Sequence, residues 1–243
     1  VINMCGQMGV VVKATFGFCK KTEESFYEML FADTLRGDDS TGVIFIERDS
    51  SFGIMKESYA APYVISDLRM SKQGRSMWQQ GRAMIGHNRK KTIGKVEDAT
   101  AHPFVVDGTF AMVHNGTLNN HRNLADTTVD SEALAIHLSK VLPKDMSIKA
   151  NLEAFEEAMG KVSGAYAVSC YSQETHKVYL LRNNQRPLSM ISTPDGVFWA
   201  SELGMMLWIL SRNGVVLKDC QPVNLKEHVI YEIDLDTCNI KET

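Results

Sequence analysis

The segment GHNRKKTIG at residues 86–94 carries the most information about the fold of this chain. It continues a predicted β-strand, Arg82 to Asn88, through an arginine, two lysines and a threonine before it closes on a glycine. On its own, the basic trio from Arg89 to Lys91 is typical of a solvated protein face. Its position relative to four other short segments gives it a different meaning.

Those four segments contain residue types that often take part in catalysis or ligand binding. They are Cys5-Gly6, RGDDSTG at 36–42, VHNG at 113–116 and Asp130-Ser131-Glu132. Each has an ordinary interpretation when taken alone. An isolated cysteine is usually a small buried residue, and the segment after Arg36 could form a surface turn. Asn115-Gly116 favours a tight hairpin turn, and Asp130 suits the N-cap of a helix.

Taken together, the order and spacing of the five segments resemble the class II glutamine amidotransferases, a family of N-terminal-nucleophile hydrolases. The similarity is clearest to the glutaminase domains of glucosamine-6-phosphate synthase and amidophosphoribosyltransferase. Further matching segments are AHPF at 101–104, GAY at 164–166 and WASE at 199–202. Because the resemblance spans nearly the whole chain, it implies one domain, residues 1–243, that releases ammonia from glutamine.

The resemblance implies that Cys5, followed by Gly6, is the nucleophile. Its thiolate would attack the side-chain carbonyl carbon of glutamine, ammonia would leave, and water would hydrolyse the thioester. The base in this family is the α-amine of the nucleophile itself, whose ordinary pKa of about 7.7–8.0 suits neutral pH. The same resemblance assigns the oxyanion contacts to the Asn115 side-chain amide and the Gly116 backbone N–H. Losing one such donor typically raises the barrier by about 3–4 kcal/mol.

The two charged ends of free glutamine would be bound by other residues of the pattern. The resemblance implies that Arg89 binds the α-carboxylate through a two-pronged guanidinium contact, assisted by Thr92. It implies that Asp130 binds the α-ammonium group. Arg36 and Asp39 would hold the loops around the nucleophile without touching the substrate.

The chain departs from the family pattern at two positions in the segment 86–94. Lys90 stands where the family often has an aromatic residue, and Ile93 stands where a histidine or alanine is frequent. These departures affect the rim of the expected glutamine pocket rather than the reaction.

The residues before Cys5 affect the expected activity more strongly. Because Val1 to Met4 precede Cys5, its nitrogen is an amide in the sequence as written and cannot act as a base. The extension could be a cloning remnant before a start at Met4, a short propeptide, or a permanent feature. We expect the chain to be catalytically silent while it carries these residues. The alternative function is therefore a silent glutaminase-like domain used as a structural or binding subunit.

Composition and charge argue against several other functions. Hydrophobic residues make up 44% and charged residues 23% of the chain, which is ordinary for a soluble globular protein. The net charge of -3 gives no basic excess for nucleic-acid binding. No apolar run reaches the roughly 20 residues of a membrane span, and the N-terminus lacks a signal-peptide pattern. The five cysteines contain no CxxC pair, which predicts reduced thiols and a cytoplasmic protein.

No cofactor or metal site is expected. His114 and His121 are too far apart for one helical face, and no cysteine lies beside them. Family members pass ammonia to a synthase domain, for which a chain ending at Thr243 leaves no room. The expected partners are therefore glutamine and a separate synthase subunit or larger assembly, unless the chain is a stand-alone glutaminase.

Hydrophobic periodicity predicts a mixture of grouped strands and helices rather than strict alternation. The predicted strands are Gly9–Phe16, Thr41–Glu47, Phe52–Glu57, Arg82–Asn88, Phe104–His114, Gly164–Tyr171, Lys177–Arg182, Leu188–Ile191, Val197–Ala200 and His228–Ile233. The predicted helices are Thr22–Leu35, Ser131–Leu142, Ile148–Val162 and Glu202–Arg212. This grouping favours two stacked antiparallel sheets. With the resemblance, the expected fold is the α+β, four-layer αββα N-terminal-nucleophile hydrolase fold.

Overall fold

The computed structural model describes residues 5–13, 17–91, 96–141 and 148–242. Thr92 and Ile93 and the four residues before Cys5 lie outside the described residues, so their predicted roles stay predictions. The same holds for Phe16 and Leu142, where a predicted strand and a predicted helix end.

Two antiparallel sheets form the centre of the described part of the chain. The first contains β1 (Gly6–Val12), β2 (Ser40–Glu47), β3 (Phe52–Glu57), β4 (Gly81–Arg89), β9 (Ser189–Ser192), β10 (Gly196–Ala200) and β11 (Pro222–Asn224), in the spatial order β11-β9-β10-β1-β4-β2-β3. The second contains β5 (Phe104–Val106), β6 (Phe110–Leu118), β7 (Gly164–Ser172), β8 (Lys177–Arg182), β12 (Tyr231–Asp234) and β13 (Ile240–Glu242), in the order β13-β12-β8-β7-β6-β5. β1, which begins directly after Cys5, is therefore a central strand.

Helices cover the outer face of each sheet. Those packed on the first sheet are α1 (Lys20–Ala32), α2 (Ala61–Met70), α3 (Lys72–Gln80) and α7 (Leu203–Arg212). Those packed on the second are α5 (Asp130–Ser139) and α6 (Ile148–Gly160), with the single turn α4 (His121–Leu124) beside α5. In the ranges that the structure describes, no helix is both long enough and apolar enough to cross a membrane.

Three apolar cores separate the four layers. Alternate side chains of a strand point to opposite faces of its sheet. Accordingly, Val10 packs against the helices on the first sheet, whereas Val11 packs between the two sheets. A third core under α5 and α6 contains Leu134 and Phe155. This layering confirms the predicted α+β fold of two stacked antiparallel sheets flanked by helices.

Several predicted elements differ from the observed ones. The single strand predicted over Phe104–His114 is instead the hairpin β5–β6, which turns at Asp107 and Gly108, both with positive φ. Asn115-Gly116, a local hairpin signal, lies inside β6 and pairs with β7. The interpretation of these two residues as a turn is therefore wrong.

The helices α2 and α3 were not predicted, and the N-cap interpretation of Asp130 is also wrong. Asp130 is the first residue of α5, and Val129 occupies the N-cap position without a side-chain capping bond. The apolar residues Ala61, Val64 and Leu68 of α2 follow the spacing i, i+3, i+7. That spacing is a helical signal that the sequence did contain.

The strand registers bring the ends of three strands to one edge of the fold. Gly6 of β1 pairs with Asn88 of β4, so Cys5 lies next to the end of β4 at Arg89. The backbone N–H of Leu118, the last residue of β6, donates to the Asp130 carboxylate at 2.9 Å. The start of β1, the ends of β4 and β6 and the start of α5 therefore meet at this edge.

Candidate active site

The Cys5 thiol is buried against the backbone of Lys90. Its Sγ donates to the Lys90 carbonyl and accepts from the Lys90 N–H, both at 3.2 Å. Burial raises the pKa of the Cys5 thiol, while the Lys90 N–H and the Arg89 charge act to lower it, and the charges of Asp33 and Asp130 raise it. Because the net shift is upward, the thiol is neutral at pH 7, and a nearby base is required to make it nucleophilic.

The segment from Arg89 to Lys91 is held in place by the loop after Arg36. The backbone N–H of Asp39 donates to the Arg89 carbonyl at 3.1 Å, and the Lys91 N–H donates to the Asp39 carboxylate at 2.8 Å. Lys90 Nζ pairs with Asp38 at 3.0 Å and with Asp39 at 3.2 Å. Gly37 allows this approach, because a Cβ there would lie 2.6 Å from the Arg89 carbonyl carbon. Asp39 therefore fixes the segment that contacts the Cys5 thiol.

Arg36 contacts the backbone of Cys5 itself. Its Nε and Nη2 donate to the Cys5 carbonyl at 3.2 and 3.1 Å, and its Nη1 pairs with the Glu202 carboxylate. The Asp33 carboxylate lies 3.7 Å from Arg36 Nε. Gly6 leaves room for that carboxylate, since a Cβ on Gly6 would lie 2.0 Å from Asp33 Oδ2. The carbonyl of Cys5 is thus held by Arg36, whose guanidinium also contacts Glu202 and lies beside Asp33.

The Asp33 carboxyl gives this network a pH dependence. Burial raises its pKa to about 8; Arg36 and the Asn88 amide oppose the rise, and Glu202 adds to it. The folded chain therefore keeps the Asp33 proton up to about pH 8, whereas the unfolded chain releases it near pH 3.8. Between these values the folded state binds more protons, so its free energy of unfolding falls as pH rises.

We expect Asp33→Asn to remove this contribution. The wild-type free energy of unfolding should fall relative to that of the variant by up to about 1.4 kcal/mol per pH unit between about pH 4 and 8. Urea unfolding at pH 5, 6, 7 and 8 measures the difference. Asp236→Asn, which changes an exposed carboxyl in the β12–β13 turn, is the control. If the free energies of unfolding of the wild type and of Asp33→Asn changed with pH to the same extent, the expectation would be contradicted.

Arg89 and Asp130 lie near the Cys5 thiol. Both are buried, and the charges of both influence the pKa of Cys5. Arg89 Nη1 donates to Thr100 Oγ1 at 3.1 Å. The Asp130 carboxylate accepts the backbone N–H groups of Leu118 and Ser131, each at 2.9 Å. A guanidinium and a carboxylate near one thiol provide complementary charges for a zwitterionic ligand.

Asn115 and Gly116 lie consecutively in β6, on the second sheet. Asn115 is buried, and its Nδ2 donates to Ser201 Oγ at 3.3 Å. A Cβ on Gly116 would lie 2.0 Å from the Ala165 carbonyl oxygen and 2.4 Å from His114 Nε2. The neighbouring strand and His114 therefore demand glycine at position 116, a packing reason that the sequence does not reveal.

His87, one of three buried histidines near the site, links the two sheets. His87 Nε2 donates to the His114 carbonyl at 3.1 Å, which joins β4 to β6. Since a carbonyl only accepts, Nε2 carries the proton of the neutral ring. Burial lowers the pKa of His87 to about 3 and lowers those of His102 and His114 as well. All three imidazoles are therefore neutral at pH 7.

Sequence reasoning missed three residues of this site. Asp33 and Ser201 had no predicted role, and Glu202 was noted only within the segment WASE. That segment was the available signal for Ser201 and Glu202. Among the described residues, no group of three or more His, Cys, Asp or Glu side chains could hold a metal ion.

The four layers, two antiparallel sheets between helices, form the fold of the N-terminal-nucleophile hydrolases, and the buried Cys5 lies directly before a central strand. A family model described as "Glutamine amidotransferase domain" matches residues 87–207, which include Arg89, Asn115, Gly116 and Asp130. The chain contains a glutamine amidotransferase domain of class II.

Individual relatives and solved structures agree with this family. The chain is 31% identical to a glutamine–fructose-6-phosphate aminotransferase of Streptococcus agalactiae, over 98% of this chain and 40% of that protein. It is 27% identical to an amidophosphoribosyltransferase of Pasteurella multocida, over 68% of this chain and 34% of that protein. The glutamine PRPP amidotransferase structure from B. subtilis matches its fold with a TM-score of 0.68 at 16% identity, over 98% of this chain and 49% of that one. The chain thus spans less than half the length of each.

Proposed function

We propose that this chain, with Cys5 as its N-terminal residue, hydrolyses the side-chain amide of glutamine to glutamate and ammonia. The observation that carries the proposal is the Cys5 environment: a buried thiol against Lys90, a carbonyl held by Arg36, and the charges of Arg89 and Asp130 nearby. Similarity to the glutamine amidotransferase family supports glutamine as the amide substrate.

The reaction proceeds through a thioester. The α-amine of Cys5 takes the thiol proton, and the sulfur attacks the amide carbon of glutamine to give a tetrahedral oxyanion. Collapse of this intermediate breaks the carbon–nitrogen bond, and ammonia leaves with the proton held by the α-amine. Water then adds to the thioester carbon, and glutamate departs as the thiol is regenerated. The raised pKa of the Cys5 thiol is the reason that a base is required.

In this proposal, Asn115 and Gly116 stabilise the oxyanion. A side-chain amide and a backbone N–H are the donors typically used for this purpose. Asn115 is buried, and one of its amide hydrogens is already committed to Ser201. The second hydrogen remains to bind the oxyanion. Burial strengthens this contact because water does not compete for the donor.

The two charged ends of glutamine are bound, in this proposal, by Arg89, Thr92 and Asp130. The Arg89 guanidinium binds the α-carboxylate with Thr92, and the Asp130 carboxylate binds the α-ammonium. Asp130 already accepts two backbone N–H groups. These donors hold its carboxylate in one orientation, which reduces the entropy lost on substrate binding.

We expect Asp130→Asn to raise the KM for glutamine by about 10- to 100-fold with little change in kcat. A hydrogen bond between charged groups is worth about 1.5–3 kcal/mol. Asparagine keeps an oxygen that can accept the Leu118 N–H but removes the charge that the ammonium requires. Steady-state kinetics with thermal melts measures both properties. Glu132→Gln, which removes a carboxylate from the same helical turn, should leave KM unchanged. An unchanged KM in Asp130→Asn would restrict Asp130 to a structural role.

The ammonia is passed to an acceptor domain or subunit. The chain covers well under half of two relatives, one named glutamine–fructose-6-phosphate aminotransferase and the other amidophosphoribosyltransferase. The remaining parts of those relatives support an acceptor-binding partner for this domain. Assays with candidate acceptors would identify the molecule that receives the ammonia.

The function is tested by incubating the protein that begins at Cys5 with glutamine and measuring glutamate and ammonia. Cys5→Ala should release none. A glutamine analogue with an electrophilic carbon should label Cys5 alone, although Cys19 is exposed and Cys220 is partly exposed. Labelling of Cys19 and Cys220 instead of Cys5 would contradict the assignment of Cys5 as the nucleophile. No hydrolysis by a folded protein with a free N-terminal Cys5 would favour a silent structural or binding subunit.

A further inference from the structure

The Ser201 hydroxyl connects the strand that begins after the nucleophile to the side chain of Asn115. Ser201 Oγ accepts the backbone N–H of Gln7 at 3.1 Å and the Nδ2 of Asn115 at 3.3 Å. All three residues are buried. Gln7 is two residues from Cys5 on the first sheet, and Asn115 lies on the second. The Ser201 oxygen thus contacts both the strand that follows Cys5 and the side chain proposed to bind the oxyanion.

This contact arises from the way in which β10 ends. Met8 pairs with Ala200, and the Ser201 N–H donates to the Gln7 carbonyl at 2.9 Å, as a regular antiparallel ladder requires. In such a ladder the Gln7 N–H would donate to the Ser201 carbonyl. It donates to the Ser201 hydroxyl instead, because the chain leaves the strand towards α7. The side chain replaces a backbone acceptor and thereby projects towards the second sheet.

We propose that Ser201 is a positioning residue for the oxyanion contact, an inference that rests on the proposed function. An asparagine amide has two N–H hydrogens on one planar group. Fixing one of them on Ser201 Oγ fixes the direction of the other. Since Ser201 is bonded to β1, this direction is set relative to the strand that begins after Cys5. The hydroxyl therefore aligns the donor with the carbon that the thiol attacks.

A serine that only terminates a strand would behave differently. Its loss would lower stability but would not act through Asn115. Ser169 provides the matched comparison, because its buried hydroxyl also joins the two sheets, accepting Trp199 Nε1–H at 3.0 Å. Ser169→Ala removes a similar hydrogen bond without touching Asn115.

The kinetic test is a double-mutant cycle in the protein with an N-terminal Cys5. Ser201→Ala should lower kcat by about 10- to 100-fold, the scale of a misaligned catalytic group, and change KM by less than about threefold. In the Asn115→Ala background the same change should alter kcat by less than about twofold, because the aligned group is gone. Ser169→Ala should leave kcat unchanged. Equal losses in both backgrounds, or a rise in KM alone, would overturn the inference.

A second measurement does not depend on activity. The side-chain amide signals of Asn115, identified in ¹H–¹⁵N spectra by their absence from Asn115→Ala, should shift and exchange faster with solvent in Ser201→Ala. They should be unaffected in Ser169→Ala. Unchanged signals in Ser201→Ala would overturn the inference whether or not the protein hydrolyses glutamine. A protein without glutaminase activity whose Asn115 signals do respond would contradict the proposed function while supporting the alignment.

Discussion

Asn115→Ala is expected to lower the kcat of glutamine hydrolysis by about 10²–10³-fold while leaving KM nearly unchanged. In the proposed reaction the amide donates to the oxyanion only after the thiol has attacked, so its contribution belongs to the transition state. Because Asn115 is buried, the lost donor is not replaced by freely exchanging water. Loss of one such donor corresponds to about 2.7–4 kcal/mol of barrier.

Steady-state kinetics and thermal melts together measure this effect. Asn115→Ala also frees the Ser201 hydroxyl, so a modest loss of stability should accompany it. The cleaner comparison is Asn115→Asp, which keeps the shape of the side chain but replaces the donor with an acceptor. Both variants should lose kcat to a similar extent. A retained kcat in a folded Asn115→Asp protein would assign the oxyanion contact elsewhere.

Asn115 also illustrates what the sequence could and could not predict. The local Asn-Gly signal indicates a turn, yet both residues lie in β6 and pair with Ala167 and Tyr166 of β7. Pairing along the whole of β7 overrides the local preference, and the chain turns earlier, at Asp107-Gly108, where φ is positive. The ordered motifs gave the correct fold because they depend on the whole chain rather than on a short window.

The strand pattern was predictable where one face of a strand contacts a core. The pair β2–β3 was predicted to within one residue, since β2 contains the apolar run from Val43 to Ile46 and a polar turn separates the two strands. The helices α2 and α3 were not predicted because only a few of their residues are buried, among them Ala61, Val64 and Leu68. The spacing of these three residues is helical but short, and tertiary packing supplies most of the stability of such helices.

The motifs predicted a supporting role for Arg36 and Asp39, but they did not predict the contacts of Ser201 and Asp33. Ser201 contacts Gln7 and Asn115, which are 194 and 86 positions away in the chain. The raised pKa of Asp33 depends on burial against Gly6 and on charges brought close by folding. Contacts between residues so distant in sequence, and a pKa shift caused by burial, follow only from the three-dimensional structure.

A protein that begins at Cys5 is expected to hydrolyse glutamine at least about 10²–10⁴-fold faster than one that retains Val1 to Met4, the range that general acid–base catalysis contributes. A free α-amine can take the thiol proton at neutral pH, whereas the amide formed with Met4 cannot. Burial makes this base important, because it raises the pKa of the Cys5 thiol and keeps the sulfur protonated.

Three forms of the protein separate the loss of the base from the bulk of the added residues. The first begins at Cys5, the second has the same N-terminus acetylated, and the third retains Val1 to Met4; mass spectrometry establishes each N-terminus. The acetylated form should lose nearly all activity, since acetylation removes the base and adds little volume. The kcat/KM of the free form should rise with pH through about 7.7–8.0, as the α-amine loses its proton. Full activity in the acetylated form would show that the α-amine is not the base.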